Sequence, residues 1–360
     1  MAETRLGCPE TRVLIMNRCS SQTICDITDQ ISSVAYGRVL DDTSEARISL
    51  NLSSDGIDSV CCKCIGDTRS WLHSILIKRD EEPVWFGPIV DLLYGSEIVD
   101  IVARDVTAWL DVRVIHNAYN FTNENVLDIA RTIIQDALQP DDPCNLFEQL
   151  GIFRPTPETQ IDKQYTVAQD YVGELLRDLA KTVIDYTAVG GRILIAEALE
   201  FGPYVTLRDE DFQTNLEVEE RGIEAATKWY VKGSGVLGQA GGVDSFMGLI
   251  EQLASDDRIT STSQANAGAT GRLRASNPPP VYINVPSGAQ LSADAPFPFR
   301  QLVPGTLVNL DLRNICRPMR AQHRLTAVSV TVDDTGTEKV GITLSPPGTA
   351  FQEAGGIEQP

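Results

Sequence analysis

Between Ser44 and Leu52 the chain reads SEARISLNL, in which Ala46, Ile48 and Leu50 alternate with Arg47, Ser49 and Asn51. A period of two turns one set of side chains to a core and the other to solvent, so this segment is expected to be a half-buried strand. RVLIMNRC (12–19), ISSVAYGRV (31–39), HSILIKRD, PVWFGPIVDLLY and EIVDIVARD share its β-branched and apolar bias. RDEEP and YGSE join the last three as acidic, Gly- or Pro-bearing hairpin turns. The first third is therefore expected to be a β-meander that closes into a small barrel or sandwich, its edges blunted by Pro83 and Pro88.

The period then changes. ENVLDIARTIIQDAL places Val126, Leu127, Ala130, Ile133, Ile134, Ala137 and Leu138 at helical spacing, and Pro140 stops the pattern. A second helix is expected in VAQDYVGELLRDLAKTV, with Thr166 and Gln169 as a capping box and Val167, Tyr171, Leu175, Leu179 and Val183 on one stripe. DYTAVGGRILIAEA reads as two short strands around Gly190 and Gly191, which makes the middle block a small α+β insertion.

From about residue 204 the β patterning returns in YVTLRDEDF, EAATKWYVKG, VYINV, TLVNLDLR, HRLTAVSVTVDD and EKVGITLSP, with DDTGTE as a hairpin turn. SFMGLIEQLASDDRI interrupts as a helix-like segment, followed by the small-residue stretch TSTSQANAGATGRLRAS. Pro278, Pro279 and Pro280 fix an extended exit, and Pro279 to Val285 is expected to be an arm laid on a neighbour. The polar, Gly/Pro-rich tail from Pro346 is expected to be mobile.

Charge narrows the function classes. With 30 Lys and Arg against 50 Asp and Glu, the net charge of -20 lacks the electrostatic footprint of a protein that coats DNA or an anionic membrane. Neither a signal-like apolar segment nor a membrane-spanning run occurs, so synthesis in the cytoplasm is expected. Eight cysteines do not form paired C-x-x-C blocks; the densest group, Cys61, Cys62 and Cys64 in CCKC, is a weak metal candidate against buried thiols or a disulfide to the Cys19 or Cys25 region.

GSGVLG (233–238) is a literal G-x-G-x-x-G. A dinucleotide site needs a helix to open on it so that backbone N–H groups meet the pyrophosphate, yet the polar turn QAGGVDS follows. A Gly-rich loop leaving a strand is the better reading. GVDSFMG misses the G-x-S-x-G spacing, and His73, His116 and His323 are widely separated. No cofactor, metal or catalytic residue is therefore expected.

Residues 84–115, VWFGPIVDLLYGSEIVDIVARDVTAWLDVRVI, read as a strand pair ending in ARD, then a short helical turn from which Val106, Trp109, Leu110 and Val114 pack back on the sheet. Trp85, Gly87, Pro88 and Ile89, then Ala103, Arg104 and Asp105, then Trp109, Leu110 and Arg113 follow an order that resembles the hub, or minor tail, proteins of long-tailed actinobacterial phages. The resemblance extends upstream through YGRVLDDTSEARISL and CCKCIGDTRSWLHSILIKRD and downstream through APFPFRQLVPGTLVNLDL and LTAVSVTVDDTGTEKVGITLSPPG, and is looser in the middle helices and the Gly-rich loop.

It implies a mainly β fold with an α+β insertion: two β-barrel-like tube domains plus a peripheral helical or mixed domain. The expected division is 1–118 and 204–345 for the tube domains, with a helical, Gly-rich insertion at 233–280. Residues 119–203 would form the peripheral domain, and 346–360 a flexible tail. The resemblance further implies a non-enzymatic virion component at the tail tip, three copies forming a ring. Its partners would be the tail tube or distal tail protein, the tape-measure protein and tip or fibre proteins, with DNA passing through an acidic channel that repels phosphate. A receptor- or carbohydrate-binding tip protein, or a tail-associated cell-wall hydrolase, are the alternatives.

Overall fold

A computed structural model describes residues 5–18, 22–51, 60–138, 159–181, 184–197, 199–257 and 259–346. The chain forms two compact units, one of Met1–Asn215 with Pro286–Pro360 and one of Leu216–Val285. Its fold is mainly β with an α+β insertion.

In the first unit the strands are β1 Thr11–Asn17, β2 Thr23–Asp26, β3 Ile31–Val39, β4 Glu45–Asn51, β5 His73–Arg79, β6 Glu82–Tyr94 and β7 Ile98–Arg104. Strands β8 Tyr119–Asn125, β9 Gln160–Tyr165, β10 Asp185–Val189, β11 Arg192–Ala196 and β12 Phe201–Arg208 follow. The second unit holds β13 Glu217–Glu220, β14 Lys228–Lys232, β15 Leu237–Gly241, β16 Glu251–Ser255 and β17 Val281–Asn284. The chain returns to the first unit for β18 Ala289–Gln290, β19 Thr306–Leu312, β20 Met319–Asp333 and β21 Glu338–Ser345. Helices α1 (Val60–Asp67), α2 (Val126–Ala137) and α3 (Val172–Ala180) belong to the first unit, and α4 (Thr262–Ser276) to the second.

Strands from both ends of the sequence share one twelve-stranded sheet, ordered β12-β19-β20-β3-β4-β7-β6-β5-β1-β2, with β21 on β20 and β18 on β21. Period two holds where it was expected: Ala46, Ile48 and Leu50 of β4 are fully buried. In β20 the register shifts between Leu325 and Ala327, and Val328, Val330 and Val332 then face the core. Buried Arg38 ties distant segments together, donating to the Leu302 and Val84 carbonyls at 2.8 Å each.

β6 turns the sheet. Its first half pairs with β5 up to Pro88, and its second half pairs with β7 from Ile89 onward. A strand that changes neighbours part-way is how one sheet bends into another. Pro83 and Pro88 therefore lie in an interior strand, not on the edge expected for them.

α2 buries every residue expected of it, capped by Asn125, whose side chain accepts from Leu127 N and Asp128 N. α3 differs: Ala168 has φ +53, so the expected cap at Thr166 and Gln169 lies in a turn, and the helix begins only after Tyr171. Its buried stripe is Val172, Leu176 and Leu179, while Val167 and Tyr171 are exposed. Pro140, Val183 and the tail beyond Pro346 lie outside the described residues.

In the second unit SFMGLIEQLASDDRI is not a helix. Asp244 holds a tight turn by accepting from Phe246 N and Met247 N, Gly248 has φ +76, and residues 251–255 then pair with β14 in parallel. The helix is instead the small-residue stretch, α4, capped by Ser261. Its backbone lies so close to β15 that a Cβ on Gly238 would meet Ala265 C at 2.2 Å and Asn266 N at 2.4 Å. The expected arm is strand β17, paired antiparallel with β13 of the same chain.

Candidate functional site

The residues that carry the resemblance noted in the sequence meet at the end of β7. Gly87 of β6 crosses the Arg104–Asp105 backbone so closely that a Cβ there would lie 1.7 Å from the Arg104 carbonyl oxygen and 2.7 Å from Asp105 Cα. Both obstacles are main chain, so the position demands glycine. Pro88 pairs with Ser74, the last partner on β5 before β6 moves to β7, and Ala103 is fully buried opposite Ile89 and Ala46.

Asp105 is the polar centre of this junction. It is 2% exposed and accepts hydrogen bonds from Ser44 N, Ser44 Oγ, Thr107 N and Thr107 Oγ. Burial pushes its carboxyl up from the ordinary range, against the pull of those four donors. The Thr107 bond makes Asp105 the cap of a 3-10 turn over Val106–Val112. Trp85 Nε1 donates to Ser44 Oγ at 3.3 Å, which joins the tryptophan to the same network.

The turn carries the sheet into the insertion. Leu110 and Trp109 belong to the core built by α2, α3, β10 and β11, and Trp109 meets Trp71 edge-on at 5.0 Å with Arg18 over its ring. Arg113 contributes its carbonyl, which accepts from Val172 N at the start of α3. Arg104 is half exposed, 3.9 Å from Glu45. The motif thus assembles one structural junction whose polar groups satisfy one another.

The cysteine group resolves differently. Cys64 forms a disulfide with Cys25, linking α1 to β2. The side chains of Cys61 and Cys62 lie outside the described residues, and among the described residues no metal-holding group of His, Cys, Asp or Glu occurs. GSGVLG forms the tight β14–β15 hairpin, where Gly235 takes φ +74 and Gly233 N donates to Val236 O. No helix opens on it.

Two features escaped sequence reasoning because pairing of distant strands creates them. On β12, β19 and β20, the register sets Arg208 beside Asp311 and Arg320, and Thr206 beside Asn309 and Gln322, lining a cavity of about 560 Å³. Arg313, then Arg320, hold the Asp311 carboxyl well below its usual range. At the β10 seam Arg324 pairs with Asp185, which also accepts from Leu199 N at 2.8 Å. Burial and then the Asp185 charge push neighbouring Asp41 up to about 8.

The chain is similar along nearly its whole length to solved tail proteins, two of them from prophages. The 43 kDa tail protein of prophage MuSo2 from Shewanella oneidensis matches with TM-score 0.57 at 16% identity, covering 93% of this chain and 98% of that one. The fold is that of a phage tail protein. A tail protein from Neisseria meningitidis MC58 matches at 0.55 and 12% identity, covering 95% and 98%. Prophage tail protein gp18 from Listeria monocytogenes EGD-e matches at 0.52 and 8%, covering 95% of each chain. No family model matches the sequence, and no curated protein does. Among the described residues no helix is long and apolar enough to cross a membrane.

Proposed function

We propose that this chain is a structural virion protein, one subunit of a ring of three at the distal end of a phage tail tube. The observation that carries this reading is the end-to-end match to three tail proteins, which leaves little of either chain unpaired. The Trp85–Arg113 junction adds to it, because its residues serve architecture: they fix a strand crossing and dock the insertion. In this role the ring adapts the tube above to tip or fibre proteins below and leaves a passage for the tape-measure protein and then DNA. The charge of -20 keeps phosphate from adhering to the walls.

A receptor- or carbohydrate-binding role would use an open aromatic platform. Trp85 and Trp109 are 2% and 6% exposed, and the half-buried Trp71 and Trp229 are engaged by Trp109 and by Ser276 Oγ, so no tryptophan is free for such a platform; the exposed Phe246 stands without one beside it. A hydrolase would draw on its histidines, yet His116 Nδ1 lies 3.0 Å from the Asp136 carbonyl oxygen and His73 Nδ1 accepts from Arg69 N. Immunogold electron microscopy of intact particles tests the assignment. Label at the distal end of the tube is the expected result, and label on fibres, along the tube or absent from particles would overturn it.

A further inference from the structure

We propose that copies of this chain join head to tail, through an apolar, lysine-bearing face of the second unit and an apolar, acidic face at the β6–β7 tip of the next copy. The proposal deepens the ring reading above and rests on it.

The second unit exposes apolar side chains that its own fold leaves uncovered. Phe246 is 96% exposed, Val243 79%, Leu253 66% and Leu237 57%. The turn that presents Phe246 is held by Asp244 and by paired bonds between Asp244 and Gly248, so the ring stands on a fixed support. Exposed apolar side chains in this number on one small unit mark an interaction surface. On the three-stranded sheet Trp229 and Val231 turn toward α4, since Trp229 Nε1 bonds Ser276 Oγ and Val231 lies against Gly268. The register then sets Tyr230, Lys228 and Lys232 on the opposite face with Leu237 and Leu253. On the sheet face itself Lys228 and Lys232 outnumber Glu251, while Asp244 belongs to the turn that presents Phe246.

The complementary face lies on the first unit. Leu93 and Ile98 are 68% and 52% exposed and share one side of the β6–β7 pair with Asp91 and Asp100, with Glu97 in the turn between the strands. The cations that the register sets on that side, Arg47 and Arg104, both lie beside Glu45, at 2.6 and 3.9 Å. One surface is apolar and cationic, the other apolar and anionic. Neither complements itself, which disfavours a two-fold dimer. Two unlike, matching patches on one chain specify a heterologous contact that closes into a ring when the rotation allows. The charge pairing selects partner and orientation, and the apolar side chains supply the affinity.

The test is native mass spectrometry of the full chain over a concentration series, with Leu253→Asp and Leu93→Asp, both exposed enough to keep the fold, checked by thermal midpoint. Wild type is expected to form a closed oligomer. Each variant alone is expected to be monomeric, its association weakened about 100-fold or more. An equimolar mixture of the two retains one intact pair of faces and is expected to stop at the heterodimer. Lys232→Glu should weaken assembly about tenfold, and adding Asp91→Lys should restore it. Assembly that persists in either single variant overturns the pairing, as does a wild type that stays monomeric throughout. Gold label away from the tube end would instead remove the ring reading.

Discussion

Gly87 and Gly238 do the same steric job in two different settings. Each lets a strand lie against main-chain atoms that any Cβ would strike. Around Gly87 everything is paired: Asp105 has four donors, Trp85 reaches Ser44, and Trp109 is covered by Trp71. Around Gly238 a thin sheet meets one helix whose buried apolar residues are Ala265 and Ala269, while the opposite face leaves Leu237 and Leu253 in solvent. The first unit finds its stability internally. The second buries little and displays much, the balance of a module whose apolar face awaits a partner.

Replacing Gly87 with alanine gives the largest expected effect, a loss of about 4 kcal/mol or more in denaturant unfolding, because the obstructing atoms are backbone and cannot move aside. Asp105→Ala should follow at about 3 kcal/mol, since Ser44 N and Thr107 N would be left buried without an acceptor. Gly238→Ala is expected to cost about 2 kcal/mol, with faster hydrogen exchange confined to residues 216–285. A uniform loss of protection across both units would show that the two settings are not independent.

Asp41 sharpens the comparison through pH. Its folded carboxyl, raised to about 8, holds a proton that the unfolded chain has already released above about pH 4. The folded state therefore binds more protons than the unfolded state across this window, and stability falls as pH rises from about 4 to about 8. Asp41→Asn keeps an acceptor for Tyr186 N, and should flatten that slope and gain about 1 kcal/mol at pH 8 in thermal or urea unfolding. A slope unchanged by the substitution would assign the pH response elsewhere. Phe246→Ser should change the stability of the isolated chain by less than about 0.5 kcal/mol, because the ring it removes is already in water.

Much of the first unit was legible because local period and local burial agree there. Ala46, Ile48 and Leu50 alternate and are buried; the apolar stripe of α2 is the one its spacing predicts, and its Asn125 cap lies where the pattern begins. The motif from Trp85 to Arg113 could be read as an order of residues, though not as a junction, since Ser44, which bonds Asp105, lies 61 positions away. In the second unit local pattern and fold disagree in both directions. Apolar residues in SFMGLIEQLAS mimic a helix but face solvent and a sheet edge, while α4 has so few large apolar residues that no stripe announces it.

The sequence by itself determined most strands of the first third, though not their order in the sheet, the position of α2, the acidic balance, and the failure of GSGVLG to open a helix, because each depends on neighbours within a few positions or on composition alone. Only the tertiary structure decided that both ends of the chain share one sheet, that β6 changes partners at Pro88, that Arg208, Asp311 and Arg320 line one cavity, and that Cys64 pairs with Cys25. Those features depend on register between segments tens to hundreds of residues apart. A shift of one position would turn every side chain of a strand to its other face, and it is the packing of the whole core that fixes the choice.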